Sequence, residues 1–245
     1  MAGDEANFVL ITGATQGIGL ATAKRLSQSG FEVIGLARNK PEATFPGHFH
    51  AVDLADTAAT KEALAEITRT REITALVNNV GYNVLQPLED VDLESFQNII
   101  NVNLAAAILC AQAVLPAMKQ RKYGRIVNLS SRGALGRENR TSYSAAKAGI
   151  VGMTLTWALE LGPHGITVNC VSPGPTATEM FVRNNLEGKG PEALEPFIRG
   201  MPINRLGEPD EIAYAIEFFL KPDAGFITGQ VLHACGGSSL GHHGS

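Results

Sequence analysis

Tyr143 and Lys147 stand four residues apart in Tyr143-Ser-Ala-Ala-Lys147. On a helix that spacing puts both side chains on one face. A phenol titrates near pH ~10 and alone is a poor acid–base catalyst at neutral pH. A lysine ammonium beside it favours the phenolate and lowers that value. The pair can then exchange a proton with a carbonyl or alcohol oxygen. Upstream, an apolar run ends in Val127-Asn128-Leu129-Ser130-Ser131. A hydroxyl at a strand's C-terminal end can hydrogen-bond a substrate oxygen. Asn103 lies inside a helical pattern, where asparagine is a poor fit. It either distorts the helix, holds a water or faces solvent.

A second group of residues could hold a nucleotide. Thr12-Gly13-Ala14-Thr15-Gln16-Gly17-Ile18-Gly19 follows an apolar run and opens a helical pattern. Gly13 permits a turn that other residues resist. Gly17 lets the backbone approach a pyrophosphate, and Gly19 lets the helix pack close to the strand. The helix N-terminus then presents free N–H groups and a positive dipole end to the phosphates. The next strand ends Gly35-Leu36-Ala37-Arg38-Asn39, without the carboxylate that would hold a ribose 2′-hydroxyl. Arg38 could pair a 2′-phosphate, which favours NADP over NAD. Asp53 is a candidate for the adenine edge, or else a helix cap.

These residues need a scaffold, and the pattern supplies one. Apolar runs recur at Phe8–Ile11, Phe31–Leu36, Phe49–Val52, Ala75–Val77, Arg125–Leu129, Ile166–Val171 and Val231–Leu232. Continuous apolar runs mean strands buried on both faces. Helical patterns lie between them at Ile18–Ser29, Thr57–Thr70, Leu93–Gln120, Tyr143–Leu161 and Pro209–Leu220. The alternation predicts an α/β fold: one Rossmann-type domain over residues 1–245, a seven-stranded, doubly wound parallel sheet with helices on both faces. Glu179–Pro202, rich in glycine and proline, interrupts the rhythm after a strand's end and reads as a substrate lid. Residues 238–245 read as a flexible tail, with no metal site at His242 and His243.

Composition narrows the classes. The net charge is −4 and 44% of the residues are hydrophobic. That disfavours whole-chain disorder and a general nucleic-acid binder. Cys110, Cys170 and Cys235 are odd in number and widely spaced, which fits a reducing compartment and no metal site. The N-terminus lacks the basic start of a signal peptide, and the apolar stretch Leu104–Met118 reads as too short to span a bilayer. A cytoplasmic location with no membrane partner is expected. Two basic groups stand out. Arg132, Arg137 and Arg140 fill the stretch between Ser131 and Tyr143, suiting an anionic substrate or subunit salt bridges. Lys119, Arg121, Lys122 and Arg125 cluster at a helix end, where cations are favourable for dipole reasons and an acidic partner is the other option.

Assembled, these motifs resemble the short-chain dehydrogenase/reductase family, in the branch of the 3-oxoacyl-[acyl-carrier-protein] reductases. The resemblance runs from Phe8 to Gly237. TGxxxGxG is Thr12–Gly19, NNAG is Asn78-Asn79-Val80-Gly81, and PGxxxT is Pro173–Thr178. The Asn–Ser–Tyr–Lys tetrad maps to Asn103, Ser131, Tyr143 and Lys147. The resemblance implies that Tyr143 is the general acid, that Lys147 binds the nicotinamide ribose, that Ser131 polarises the carbonyl and that Asn103 anchors a water. It implies a cofactor site of Gly13, Thr15, Gln16, Gly17, Ile18, Gly19, Arg38, Asp53, Leu54, Asn79, Val80, Gly81, Tyr143, Lys147, Pro173, Gly174, Thr176 and Thr178, the last two meeting the nicotinamide carboxamide. It also implies a homotetramer or dimer paired through two long helices.

This sequence departs from the family pattern in places. Val80 replaces an alanine, and Gln16 stands where many NADP users carry a basic residue. Ser131 lies twelve residues before Tyr143 and Ser130 thirteen, the commoner interval. Strand register selects Ser131. His233 and Cys235 stand where relatives often have Val-Asp. The expected activity is NADPH-dependent, reversible carbonyl reduction of a 3-oxoacyl thioester, with an acyl carrier protein as a candidate partner, or of a small ketone or hydroxy compound. The alternatives are an NADPH-binding regulator without turnover and a nucleotide-sugar epimerase or dehydratase.

Overall fold

The apolar runs form strands because their neighbours are buried above and below them. In the computed structural model, which describes residues 7–41, 44–199 and 201–240, these are β1 (Phe8–Thr12), β2 (Glu32–Ala37), β3 (His48–Ala51), β4 (Ile73–Asn78), β5 (Gly124–Leu129), β6 (Ile166–Pro173) and β7 (Val231–Ala234). They pair in parallel in the order β3-β2-β1-β4-β5-β6-β7. Every residue of β4, β5 and β6 is buried. The strand order reverses between β1 and β4, so a crevice opens at their C-terminal ends, where ligands of such sheets bind.

Alternate strand residues face opposite layers. On one face Leu10, Ile34, Leu76, Ile126 and Val168 pack with Leu64 and Ile67 of helix α2 (Thr57–Thr70). Val9, Ile11, Val33, Val77 and Val171 pack on the other face with Ala23 and Leu26 of α1 (Gly17–Gln28) and with Ile212, Ile216 and Phe219 near the chain's end. Burial on both sides explains why the strands read as unbroken apolar runs.

The pattern at Leu93–Gln120 resolves into α3 (Leu93–Ile100), a wider π-helical turn (Asn101–Ala105) and α4 (Ala106–Arg121). The whole helix, Leu93–Arg121, is 29 residues long, with a mean hydropathy of 1.8 in its most apolar stretch. By length and composition alone it is long enough to cross a membrane, being longer than the Leu104–Met118 stretch read from the sequence. Its Ala106, Cys110, Ala111, Val114 and Met118 are buried, and all five belong to the core on that face of the sheet.

The remaining helices are α5 (Thr141–Leu161), α6 (Glu179–Asn185), α7 (Glu195–Ile198) and α8 (Pro209–Leu220). The segment expected to be a lid is thus built of short helices. Arg125 leaves the basic group expected at the end of α4. It is buried in β5, its guanidinium lies 4.4 Å from the Tyr123 ring centroid, and it donates to the Gly124 carbonyl. β5 is covered on both faces, so a charged residue within it is buried whichever face it meets. At the C-terminal end, Ser238 and Leu240 donate backbone bonds to Cys235 and Gly237. The rest of the expected tail, including His242 and His243, lies outside the described residues.

Candidate active site

A cleft of about 1980 Å³ opens at the C-terminal ends of the strands. Every candidate residue lines it except Asn103, which is buried behind it.

The glycine turn is fastened to the sheet. Gly13 and Gly17 adopt φ of +66° and +50°, where a side chain would be strained. The Thr12 hydroxyl accepts the N–H groups of Asn79 and Val80 at 2.9 and 3.0 Å. The Asn79 amide donates back to the carbonyls of Thr12 and Gly13 at 2.9 and 3.1 Å. Asn79 was expected to line the cofactor; its side chain also ties β4 to the turn. Thr15, Gln16 and Ile18 border the same opening, and α1 carries no acidic residue in its first turn. The first-turn amides and the positive dipole end therefore suit a pyrophosphate.

Arg38 is exposed at the end of β2 and lines the cleft. Asp53 accepts the Ala55 N–H at 3.0 Å, while Asp56 caps α2, so the helix-cap alternative passes to Asp56. Leu54 is buried beside it. Pro173 and Gly174 end β6. The Thr176 hydroxyl turns to the Gly174 carbonyl at 3.0 Å. Thr178 caps α6 and lies over Gly17, together with the Glu179 carboxylate. No sequence signal pointed to Glu179, because only the fold of the lid segment brings it to the glycine turn.

The Tyr143 group converges from three elements. Ser131 follows β5, its hydroxyl accepts the Gly133 N–H at 3.0 Å, and it lies close enough to Tyr143 to favour the phenolate. Ser130 points away, donating to the Lys147 carbonyl at 2.7 Å. Of the two serines, Ser130 is thus the one committed to the backbone of the Tyr143 helix, α5. Lys147 is buried and donates to the Leu129 carbonyl at 2.9 Å, with its nitrogen 5.8 Å from the Tyr143 ring centroid. Burial pulls Lys147 down to about 8, opposed by Cys170. Burial also pushes the Tyr143 phenol above its ordinary value, opposed by Ser131 and then by Arg140. This corrects the expectation that Lys147 sets a lowered phenol. The lysine is held on a strand-end carbonyl, and desolvation dominates the ring's surroundings.

Asn103 explains the π turn. Its amide donates to the carbonyls of Tyr82 and Ile99 at 2.9 Å each. Its Oδ1 is buried without a protein partner among the described residues. A Cβ placed on Gly81 would lie 3.3 Å from that oxygen and 3.4 Å from the Lys147 nitrogen. The two polar atoms therefore flank Gly81, and only a residue without a side chain leaves the space between them open. An acceptor without a partner facing an ammonium is the arrangement a bridging polar group or water requires. Behind the site, Asn78, Asn128 and Thr154 form a buried chain at 2.9 and 3.0 Å that the sequence did not disclose. The arginines between Ser131 and Tyr143 turn toward the lid segment: Arg140 donates to Asn185 at 2.9 Å, and Arg137 lies over the Phe197 ring at 4.5 Å.

Comparisons with known proteins agree with this arrangement. A family model described as enoyl-(acyl carrier protein) reductase matches residues 13–239. The (2S)-[(R)-hydroxy(phenyl)methyl]succinyl-CoA dehydrogenase subunit BbsD of Thauera aromatica is 40% identical over 250 residues, covering 97% of this chain and 98% of the relative. The 3-oxoacyl-[acyl-carrier-protein] reductase FabG of Vibrio harveyi is 35% identical over 245 residues, covering 95% and 97%. The crystal structure of an actinorhodin polyketide ketoreductase with NADPH matches with a TM-score of 0.88 at 32% identity, covering 98% and 99%.

Proposed function

The chain belongs to the short-chain dehydrogenase/reductase family, and from that premise we propose that it reduces a carbonyl to an alcohol, reversibly, with NADP(H). The observation that carries the reading is the convergence of Ser131, Tyr143 and Lys147 beside the glycine turn in one cleft, with the Asn103 oxygen, unpaired among the described residues, buried behind them. The glycine turn, Asn79, Val80, Gly81 and Pro173 to Thr178 fit a dinucleotide, with its pyrophosphate on the first turn of α1 and its nicotinamide toward Tyr143. When bound, the dinucleotide supplies or accepts the hydride.

The protein's own residues handle the oxygen and the proton. Ser131 donates to the carbonyl oxygen and fixes its position. Tyr143, kept protonated at neutral pH by its burial, gives that oxygen its proton. Lys147 holds the nicotinamide ribose and, while charged, stabilises the phenolate left behind. Asn103 holds a water against Lys147 through which the proton is replaced. The substrate is a 3-oxoacyl thioester or a small ketone. The FabG relative, named for reduction on an acyl carrier protein, supports the thioester option, and Lys119 and Lys122 remain exposed to meet an acidic carrier. Ile108 on α4 and Leu155 and Leu159 on α5 are exposed apolar side chains that suit pairing of copies through the two long helices into a homotetramer.

Separate titrations of NADPH and NADH test this reading. A panel of ketones and 3-oxoacyl thioesters is then added while absorbance of the reduced cofactor is followed. Turnover of a carbonyl with NADPH supports it; stoichiometric binding without turnover across the panel supports the regulator alternative. Arg38→Asp is expected to weaken NADPH binding by roughly ten- to a hundredfold, the worth of one charge-assisted hydrogen bond, and to leave NADH binding nearly unchanged. An equal effect on both cofactors would sink the role given to Arg38. Because Lys147 loses its proton near 8 in the free protein, kcat/KM for reduction is expected to fall as pH rises through that value, and Lys147→Met to remove the limb. A pH profile that persists in Lys147→Met would assign the limb elsewhere.

A further inference from the structure

Three arginines sit on the substrate side of the cleft, between the serine and the tyrosine. Arg132, Arg137 and Arg140 all line it. None is in an ion pair among the described residues. Their partners are neutral: Arg140 donates to the Asn185 side chain at 2.9 Å, Arg132 to the Ser238 carbonyl at 3.2 Å, and Arg137 stacks on Phe197 at 4.5 Å. Glu138 is the single carboxylate of the stretch, and it is exposed.

Arg137 is exposed at the rim of the cleft and Arg132 and Arg140 are half-buried, so an anion entering the cleft can reach all three guanidiniums. Burial and the charges of Arg140 and Arg132 depress Arg137, against the pull of Glu138; burial likewise depresses Arg140, against Tyr143. Guanidiniums held near one another with only neutral acceptors keep unspent capacity for bidentate bonds to an anion. The position also limits where the anion sits. Arg140 precedes Tyr143 by three residues at the start of α5, so its charge is felt by the phenol.

We infer that the substrate carries a carboxylate a few bonds from its reactive carbonyl, and that Arg137 and Arg140 hold it. The inference rests on the reductase reading and adds the substrate's charge to it. With the carboxylate on the arginines and the carbonyl oxygen between Ser131 and Tyr143, the two contacts orient the carbonyl face. The same arginines also hold Asn185 and Phe197, so the carboxylate would sit beside the lid segment.

The test compares two probes with NADPH: the N-acetylcysteamine thioester of a 3-oxo dicarboxylic acid, and the same compound with its distal carboxylate as a methyl ester. The acid is expected to be reduced with a kcat/KM roughly ten- to a hundredfold above the ester. Arg137→Gln is expected to collapse that ratio toward one, and Arg137→Lys to restore part of it. Equal kcat/KM for acid and ester in the unaltered protein overturns the charge inference and leaves the reductase reading standing. A loss in Arg137→Gln that falls equally on both probes overturns it too, and assigns the arginine to lid tethering. No turnover of either probe or of any carbonyl in the panel, with NADPH bound, overturns both readings. A third arm presents the ester as its coenzyme A thioester. A charge preference that follows the coenzyme A phosphates instead of the acyl carboxylate overturns the inference as well.

Discussion

Tyr143→Phe is expected to lower kcat for carbonyl reduction by about 10²- to 10⁴-fold, the usual worth of a positioned general acid. The substitution removes one oxygen and keeps the ring. The Lys147 nitrogen keeps its place near the ring and its bond to the Leu129 carbonyl, neither of which uses the phenol oxygen. Ser131 keeps the Gly133 N–H. Cofactor affinity is therefore expected to change little, since the phosphate site on the glycine turn and the Lys147 position do not depend on that oxygen. Pre-steady-state reduction of the preferred substrate, beside a fluorescence titration of NADPH, separates the two effects. Turnover within about tenfold of the unaltered protein would show that another group supplies the proton. A matching loss of cofactor binding would show that the phenol has a structural role instead.

The second large effect is expected at Gly19. A Cβ there would lie 2.0 Å from the Gly13 carbonyl oxygen and 2.6 Å from the Asn79 amide nitrogen. The first of these is backbone and cannot rotate away. Gly19→Ala must push α1 off the turn or break the hydrogen bonds that Asn79 makes across it. Overpacking of this kind costs about 1–3 kcal/mol or more, which in a chain of this size lowers Tm by roughly 5–10 °C. The same displacement withdraws the first-turn amides from the phosphate site, so NADPH binding is expected to be lost. Gly152→Ala is the control. Nothing lies within 4 Å of a Cβ at that position, which is inside α5, so stability should hold or rise slightly. A Gly19→Ala protein with unaltered Tm and NADPH affinity would mean that the turn can open without penalty.

The parts of this site that could be read from sequence are those whose chemistry is local. The glycine turn announces itself because its residues are adjacent and must follow a strand. Tyr143 and Lys147 announce themselves by helical spacing, and the sheet by its unbroken apolar runs. The seven-stranded parallel sheet is present as expected, and two helices, Thr57–Thr70 and Pro209–Leu220, begin and end where the pattern placed them. What could not be read depends on where distant segments meet. Lys147 lies on a strand-end carbonyl eighteen residues away, so its influence on Tyr143 is not given by the interval between them. Arg125 counts as one more cation until its place in β5, a strand covered on both faces, buries it. The arginines before Tyr143 find Asn185 and Phe197 only because the lid segment folds into short helices over them. The shape of the backbone at Asn103 was open for a similar reason. A misfit asparagine says that a helix departs from regularity, not in which direction.

That departure has a consequence for how this chain can vary. A π turn holds one residue more than the α-helical turn it replaces. The helix through Asn101–Ala105 therefore carries an insertion that has been absorbed and not smoothed out. Deleting one residue there would let the helix relax to ordinary geometry, and every position beyond it would turn by about 100° relative to those before it. Cys110, Val114 and Met118 would leave the sheet, or Ile99 and Asn103 would leave the site. Side chains along this helix can drift one at a time, but its residue count cannot change by one without a compensating change on the far side. Length here is inherited as a whole number, shared between a proton path at one end and a core at the other.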